Sequence, residues 1–181
     1  MDFILYDLEA TCWPAETPGI TQEIIEIGAF KIDKLGQTKG RFHKLVRPIL
    51  FPNLSPYCRN LTGIQQEEID CAPRFPVVIE AFEDWLWESD DYAMISWGAS
   101  DPVFLEHDFQ LHRLESTSFV NKQYNLKQIY KEVFRLPGKL GLNAALRREG
   151  LAFEGNQHRA LDDARNMASL FLRHIDIWPI P

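Results

Sequence analysis

Phe3-Ile-Leu-Tyr-Asp-Leu-Glu-Ala-Thr11 reads as a buried strand that carries two acids, Asp7 and Glu9, two residues apart. Successive side chains of a strand point to opposite faces, so these two acids share one face. The rest of the element is Phe3, Ile4, Leu5, Tyr6 and Leu8. Two carboxylates side by side on a rigid apolar strand repel each other unless a cation lies between them. Mg²⁺ and Mn²⁺, hard ions that take oxygen ligands, suit that position. The plain alternative is a strand end where both acids face water. Asp-x-Glu alone recurs widely by chance, so the reading turns on what Asp101 and the run from His158 to Asp163 add to it.

The 181 residues are enough for one domain with a sizeable core. Apolar residues make up 45% and charged residues 25%, the balance of an ordinary globular chain. Five Trp and twelve Phe supply material for a core or for stacking on bases. A net charge of −7 gives no global positive field. Tight non-specific binding to duplex nucleic acid is therefore disfavoured, and a nucleic-acid partner has to be held locally, by metal ions and a few Lys or Arg. Cys12, Cys58 and Cys71 match no zinc spacing and read as reduced thiols. The N-terminus lacks a basic n-region, and no apolar run approaches the ~18 residues that span a bilayer. Together these features predict a cytoplasmic protein with no membrane partner.

Along the chain, Glu23 to Ile32 is β-branched and reads as a second strand, and on the ordinary reading of its Ile-Glu-Ile run Glu26 is an outward acid. Asp33-Lys-Leu-Gly36 is a turn, and Arg41 to Val46 a third strand, antiparallel to the second. Pro48 to Pro56 reads as an irregular connection, followed by Leu61-Thr-Gly-Ile64 and a short helix over 65–69. Pro76 starts a longer helix with Val78, Ile79, Phe82, Trp85 and Leu86 inward. Tyr92 to Trp97 is a fourth strand, Asp101-Pro102 opens a helix to about Arg113, and Phe119 to Tyr124 is a short fifth strand. Helices over 126–134, 142–149 and 160–175 finish the chain, and the tail Trp178 to Pro181 is frayed or docked. This order predicts an α/β fold, a mixed sheet of about five strands flanked by helices, in a single domain with its core over 3–175. Ligands of such sheets lie at the carboxyl ends of strands. Asp7 and Glu9 end the first strand, and Asp101 follows the fourth. The three carboxylates converge if those strands are parallel neighbours.

In His158-Arg-Ala-Leu-Asp-Asp-Ala-Arg-Asn166, both Asp162 and Asp163 fall in the first turn of a helix, where negative charge suits the helix dipole. Asp163 flanks the apolar face and can reach the sheet, whereas Asp162 points out. These stretches resemble the motifs of the DEDDh group of 3′→5′ exonucleases, which have the ribonuclease H-like fold. Asp7-Leu-Glu9-Ala-Thr11 looks like the first motif, Ser96-Trp-Gly-Ala-Ser-Asp101 like the second, and His158 with Asp163 like the third. The resemblance runs from about residue 3 to 175. It is nearest to the Eri-type exoribonuclease branch through Glu26-Ile-Gly28, Leu61-Thr-Gly-Ile64, Trp97 and the His-Arg-Ala-Leu-Asp-Asp run.

The resemblance implies two divalent ions, Mg²⁺ or Mn²⁺, about 3.5–4 Å apart, at a phosphodiester. Asp7 would bridge both, Glu9 and Asp163 would complete one site, and Asp101 would support the other through water. His158 is the implied general base, because an imidazole near its ordinary pKa of ~6.5 accepts a proton at neutral pH. Implied substrate contacts are the backbone around Ala10 and Thr11 for the terminal 3′-hydroxyl, and Leu61, Thr62 and Ile64 as a wedge against the last bases. Trp97 would stack, and Glu26 would read a terminal hydroxyl. Each of these also has an ordinary core or turn reading.

The expected activity is metal-dependent hydrolysis of single-stranded 3′ ends to nucleoside 5′-monophosphates, with RNA favoured by the branch resemblance. The same site acting on DNA ends is one alternative. A catalytically idle binding module is another, and the filled state of all five catalytic positions speaks against it. Some relatives join this domain to a separate nucleic-acid-binding domain. These 181 residues supply none, so processivity and target choice are expected either to depend on a partner protein or to be absent.

Overall fold

A computed structural model describes residues 1–14, 20–89, 91–115 and 123–180. Its elements in chain order are β1 (Asp2–Ala10), β2 (Ile24–Asp33), β3 (Thr38–Leu45), α1 (Pro56–Thr62), α2 (Gln66–Asp70), α3 (Phe75–Trp87), β4 (Tyr92–Ser96), α4 (Ser100–Leu111), β5 (Gln123–Asn125), α5 (Leu126–Val133), α6 (Leu142–Arg148) and α7 (Ala160–Arg173). The five described strands form one mixed sheet in the order β3-β2-β1-β4-β5. β1 and β2 pair antiparallel, as do β2 and β3, while β1, β4 and β5 run parallel.

β1 is almost continuously apolar because helices cover it on both sides. Ile4, Tyr6 and Leu8 face a layer built from α3 and α4, with Val78, Ile79, Phe82, Leu86, Leu105 and Phe109. Phe3 and Leu5 face the other layer, from α5, α6 and α7, where Leu126, Tyr130, Leu146, Met167, Leu170 and Phe171 pack. Alternation along the strand therefore puts Asp7 and Glu9 on the α7 side.

β1 outruns β4, since their pairing stops at Leu5 with Ile95, leaving the last residues of β1 without a parallel partner. On the other side, Asp7 lies opposite Gly28 and Glu9 opposite Glu26. The first turn of α7 rests on Gly28 so closely that a Cβ there would stand 2.2 Å from the Leu161 amide nitrogen. Only glycine permits that approach, and it brings the start of α7 beside Asp7.

The elements differ from the sequence reading in three places. The stretch read as irregular up to Pro56 gives way there to α1, which takes in Leu61 and Thr62. The Ser55 hydroxyl caps it by accepting from the Cys58 amide, and Pro56 stands in the first turn, so the signal was ordinary capping chemistry in a segment too short to show periodicity. The fifth strand is described only from Gln123 to Asn125, and the earlier part of that expectation lies outside the described residues. Glu26 is inside, not outward: its exposure is 0%, because α7 covers that face of β2. The tail is docked, with the Trp178 indole donating to the Phe171 carbonyl at 2.8 Å and stacking on the Phe171 ring. No described helix is long and apolar enough to cross a membrane, and all three cysteines are free.

Candidate metal centre

Three elements deliver carboxylates to the C-terminal end of β1. The strand itself carries Asp7 and Glu9, and α7 reaches down with Asp163. Ligand oxygens of these three half-buried acids all lie within 4.8 Å of one another. Asp101 arrives from the first turn of α4 into the space that β4 leaves open, and its Oδ1 accepts from the Leu8 amide at 3.2 Å. The parallel neighbours of the sheet thus bring Asp7, Glu9 and Asp101 to one edge.

So much negative charge in a partly desolvated place is costly. Burial pushes the Asp7 carboxyl well above the usual range, and the charges of Asp101, Asp163, Glu9 and Glu26 push it further. Burial and then the Asp163 and Glu26 charges raise Glu9 to about 9. Asp163 is raised to about 6 by burial, against the opposing hydrogen bond from the His158 amide. Burial likewise raises Asp101 to about 6, although the Leu8 amide favours its charged form. An all-oxygen donor set whose members resist ionisation together is what a hard divalent cation relieves. The residues fit such an ion.

His158 is exposed and has a left-handed backbone, φ 63°, a conformation that a non-glycine residue adopts at a cost of about 1–2 kcal/mol. It turns the His158 amide toward Asp163, whose Oδ2 accepts at 2.8 Å. Asp162 does a different job. It accepts from the Asn156 amide at 2.9 Å and pairs with Arg165. Gly155, at φ 85°, has no room for a Cβ against the Asp162 carboxylate. Asp162 therefore shapes the loop that carries His158.

The remaining residues divide. Leu61 is half-exposed on the rim of a cleft of about 450 Å³, between α1 and the loop from Gly155 to Arg159. The Thr62 hydroxyl is spent on the Cys58 carbonyl and the Ile64 amide, and Ile64 is wholly buried. At Thr11 the amide donates to the Glu23 carbonyl, the carbonyl accepts from Gln22, and the hydroxyl accepts from the Glu23 amide. Ala10 is buried, with its carbonyl accepting from the Cys58 thiol. Trp97 follows β4, packs toward Tyr130, and keeps its indole Nε1 buried without a partner.

Glu26 is occupied. Arg159 donates to it through Nε and Nη2, at 3.1 and 2.9 Å to Oε1, the Ala160 amide donates to Oε2 at 2.9 Å, and His43 Nε2 lies 2.6 Å from Oε1. Burial works against the charge, yet these hydrogen bonds from His43, Arg159 and Ala160 hold its carboxyl below the ordinary range. The pairing locks the start of α7 to β2. Arg159 and Gly28 are the positioning residues that reading by motif leaves unassigned. The signal for the first was an Arg next to the motif histidine, with a buried acid in want of a cation. For the second it was a glycine inside a β-branched run.

The exonuclease family model, RNase_T, matches residues 4–171. The chain belongs to this family and, within it, to the Eri branch of the DEDDh 3′→5′ exonucleases. It is 30% identical to the 3′-5′ exonuclease eri1 of Schizosaccharomyces pombe, covering 92% of this chain and 65% of that protein. It is 31% identical to the 3′-5′ exoribonuclease 1 of Homo sapiens, over 95% of this chain and 52% of that one. The chain thus spans between about half and two thirds of these relatives. Among solved structures it resembles the nuclease domain of 3′hExo, a DEDDh family member bound to rAMP, with a TM-score of 0.94 and 30% identity over 99% of this chain and 94% of that one. The ribonuclease H-like exonuclease fold follows from that likeness.

Proposed function

We propose that the protein is a metal-dependent 3′→5′ exoribonuclease that shortens single-stranded RNA from its 3′ end and releases nucleoside 5′-monophosphates. The observation that carries this reading is the meeting of Asp7, Glu9 and Asp163 within 4.8 Å, with Asp101 hydrogen-bonded alongside. Asp7, Glu9 and Asp163 would hold the divalent ions, two Mg²⁺ or Mn²⁺, and Asp101 would support them. Bound there, the ions would supply charge stabilisation at the phosphoryl oxygens and activation of water.

The chain's own residues do the rest. The His158 imidazole takes the proton of the attacking water, from a loop that Asp162 shapes and whose His158 amide is tied to Asp163. Leu61, on the rim of the adjoining cleft, abuts the last base, and the Trp97 ring gives a stacking surface on the β4 side. Thr62, Ile64, Ala10 and Thr11 hold that wall in place, and the Ala10–Thr11 backbone borders the terminal ribose. Glu26 acts through Arg159 and not as a reader of a hydroxyl. RNA is favoured because the relatives in the Eri branch bear exoribonuclease names. The domain is read as one unit over about 3–175, with targeting left to a partner protein.

The test is a sequencing gel of matched 5′-labelled RNA and DNA oligomers with Mg²⁺, Mn²⁺ or chelator. The expected result is a ladder shortening from the 3′ end, only with metal, faster on RNA, and abolished in Asp7→Asn with folding retained. Turnover by Asp7→Asn would overturn the role of Asp7. A faster ladder on DNA would overturn the substrate, and no ladder on either would favour an idle module.

A further inference from the structure

The sheet edge that bears the carboxylates continues past β4 to β5, and a second groove opens there. It has a volume of about 700 Å³ and lies along α5 and the connection to α6. Asn125, which ends β5 and caps α5 by accepting from the Gln128 amide, marks its near end. Lys127 and Lys131 line it from α5, four residues apart and so on one helix face. Lys139 lines it from the connection. The acid on the lining, Glu132, accepts from the Gln128 side chain at 2.9 Å. Three lysines against one glutamate make the lining net positive, in a chain whose net charge is −7.

The groove adjoins the carboxylates. Lys127 Nζ stands 3.6 Å from the place a Cβ on Gly98 would occupy, and Gly98 lies three residues before Asp101 in the turn that leads from β4 into α4. β5 lies two strands from β1, about 10 Å at the usual spacing. The carboxylate site thus sits between a polar cleft at Leu61, whose one cation, Arg159, is paired with Glu26, and a basic groove at α5. We propose that this groove holds the backbone phosphates of the single-stranded nucleic acid just upstream of its 3′ end, with Lys127, Lys131 and Lys139 as the contacts. This rests on the function proposed above, and it supplies the local positive charge that a chain of this acidity needs to hold a polyanion near an acidic site.

The experiment measures binding of a fluorescent RNA of about 12 nucleotides, within the span of one single-strand groove, by anisotropy across a salt series. An Asp7→Asn background with Mg²⁺ keeps the strand intact. Lys131→Gln with Lys139→Gln is expected to weaken binding about tenfold at low salt and to flatten the salt slope by about 1.4, as two lost single-strand phosphate contacts do. An equal charge change at Lys34 and Arg41, in the β2–β3 turn and on the far edge strand, is expected to leave both at the parental values. Circular dichroism and melting check that each variant folds. Unchanged affinity and slope in the lysine variant, an equal loss in the control, or no RNA binding by the parent would each overturn the groove.

Turnover of the same RNA by the otherwise unmodified chain is scored separately. Lysine-dependent binding without turnover overturns the enzymatic reading and leaves the groove. Turnover with lysine-independent binding does the reverse.

Discussion

Replacing Asp163 by Asn removes one of three clustered ligand oxygens and weakens the acceptor that holds the His158 amide. The expected loss in kcat is about 10²–10⁴-fold, the scale for a group that acts in the reacting geometry. Its neighbour Asp162 is engaged with Asn156 and Arg165, so Asp162→Asn is expected to be mild, with stability changed by about 0.5 kcal/mol. Steady-state kinetics of the two variants decides, and the opposite order would mean that the register of α7 is misassigned. The raised acids also make stability depend on pH. Glu9 ordinarily titrates at 4.5 and stands at about 9 in the fold. The folded state therefore binds the extra proton, and the contribution present below 4.5 is lost as pH rises toward 9. Asp101 and Asp163, ordinarily 3.8 and raised to about 6, lose theirs over that lower window. In chelator the melting temperature is expected to fall through both windows from these groups. Added Mg²⁺ or Mn²⁺, which binds the ionised carboxylates and displaces protons, should restore it most at the alkaline end. Melts at matched pH with and without metal check this, and an equal metal effect at every pH would contradict it.

Between elements, the contact that places the site is α7 on β2. Gly28→Ala would drive a Cβ to 2.2 Å from the Leu161 amide nitrogen. The helix start has to move, at a cost of about 1–3 kcal/mol or more. The expected outcome is a lower melting temperature together with weaker metal binding, because Asp163 travels with the helix. A drop in stability with unchanged metal affinity would show that Asp163 is placed by something else. Glu26 and Arg159 make the same join by charge. Removing Arg159 leaves a buried carboxylate beside Glu9, which is worse than removing both partners. This part of the structure was hard to read from sequence. The repeating i, i+2 pattern told which residues share a face of β1, whereas the parallel pairing of β1 with β4 stood only as a condition for the carboxylates to meet, and the structure meets it. That Glu26 would be inside was not foreseeable, because a lone acid in a β-branched run looks the same whether it meets water or an arginine 133 residues away.

At the scale of the whole chain, the mixed sheet, the helix order and the meeting of the acids were legible, because hydrophobic periodicity and strand order survive in one dimension. Legibility failed where a feature depends on local geometry or distant pairing. The helix at Pro56–Thr62 is too short to show a period, the left-handed His158 backbone leaves no mark in composition, and the basic groove gathers lysines from a helix and a loop. Net charge concealed that last feature, since a total of −7 says nothing about where three lysines meet. The central claim is that β1, α4 and α7 assemble a divalent-cation site. It is tested most directly by an anomalous difference map from crystals of the protein grown with Mn²⁺. Peaks within about 2.0–2.3 Å of Asp7, Glu9 and Asp163 oxygens are expected, close to the oxygen distances of small hard cations. Saturating Mn²⁺ with no peak at these carboxylates, or with peaks only elsewhere, would contradict it.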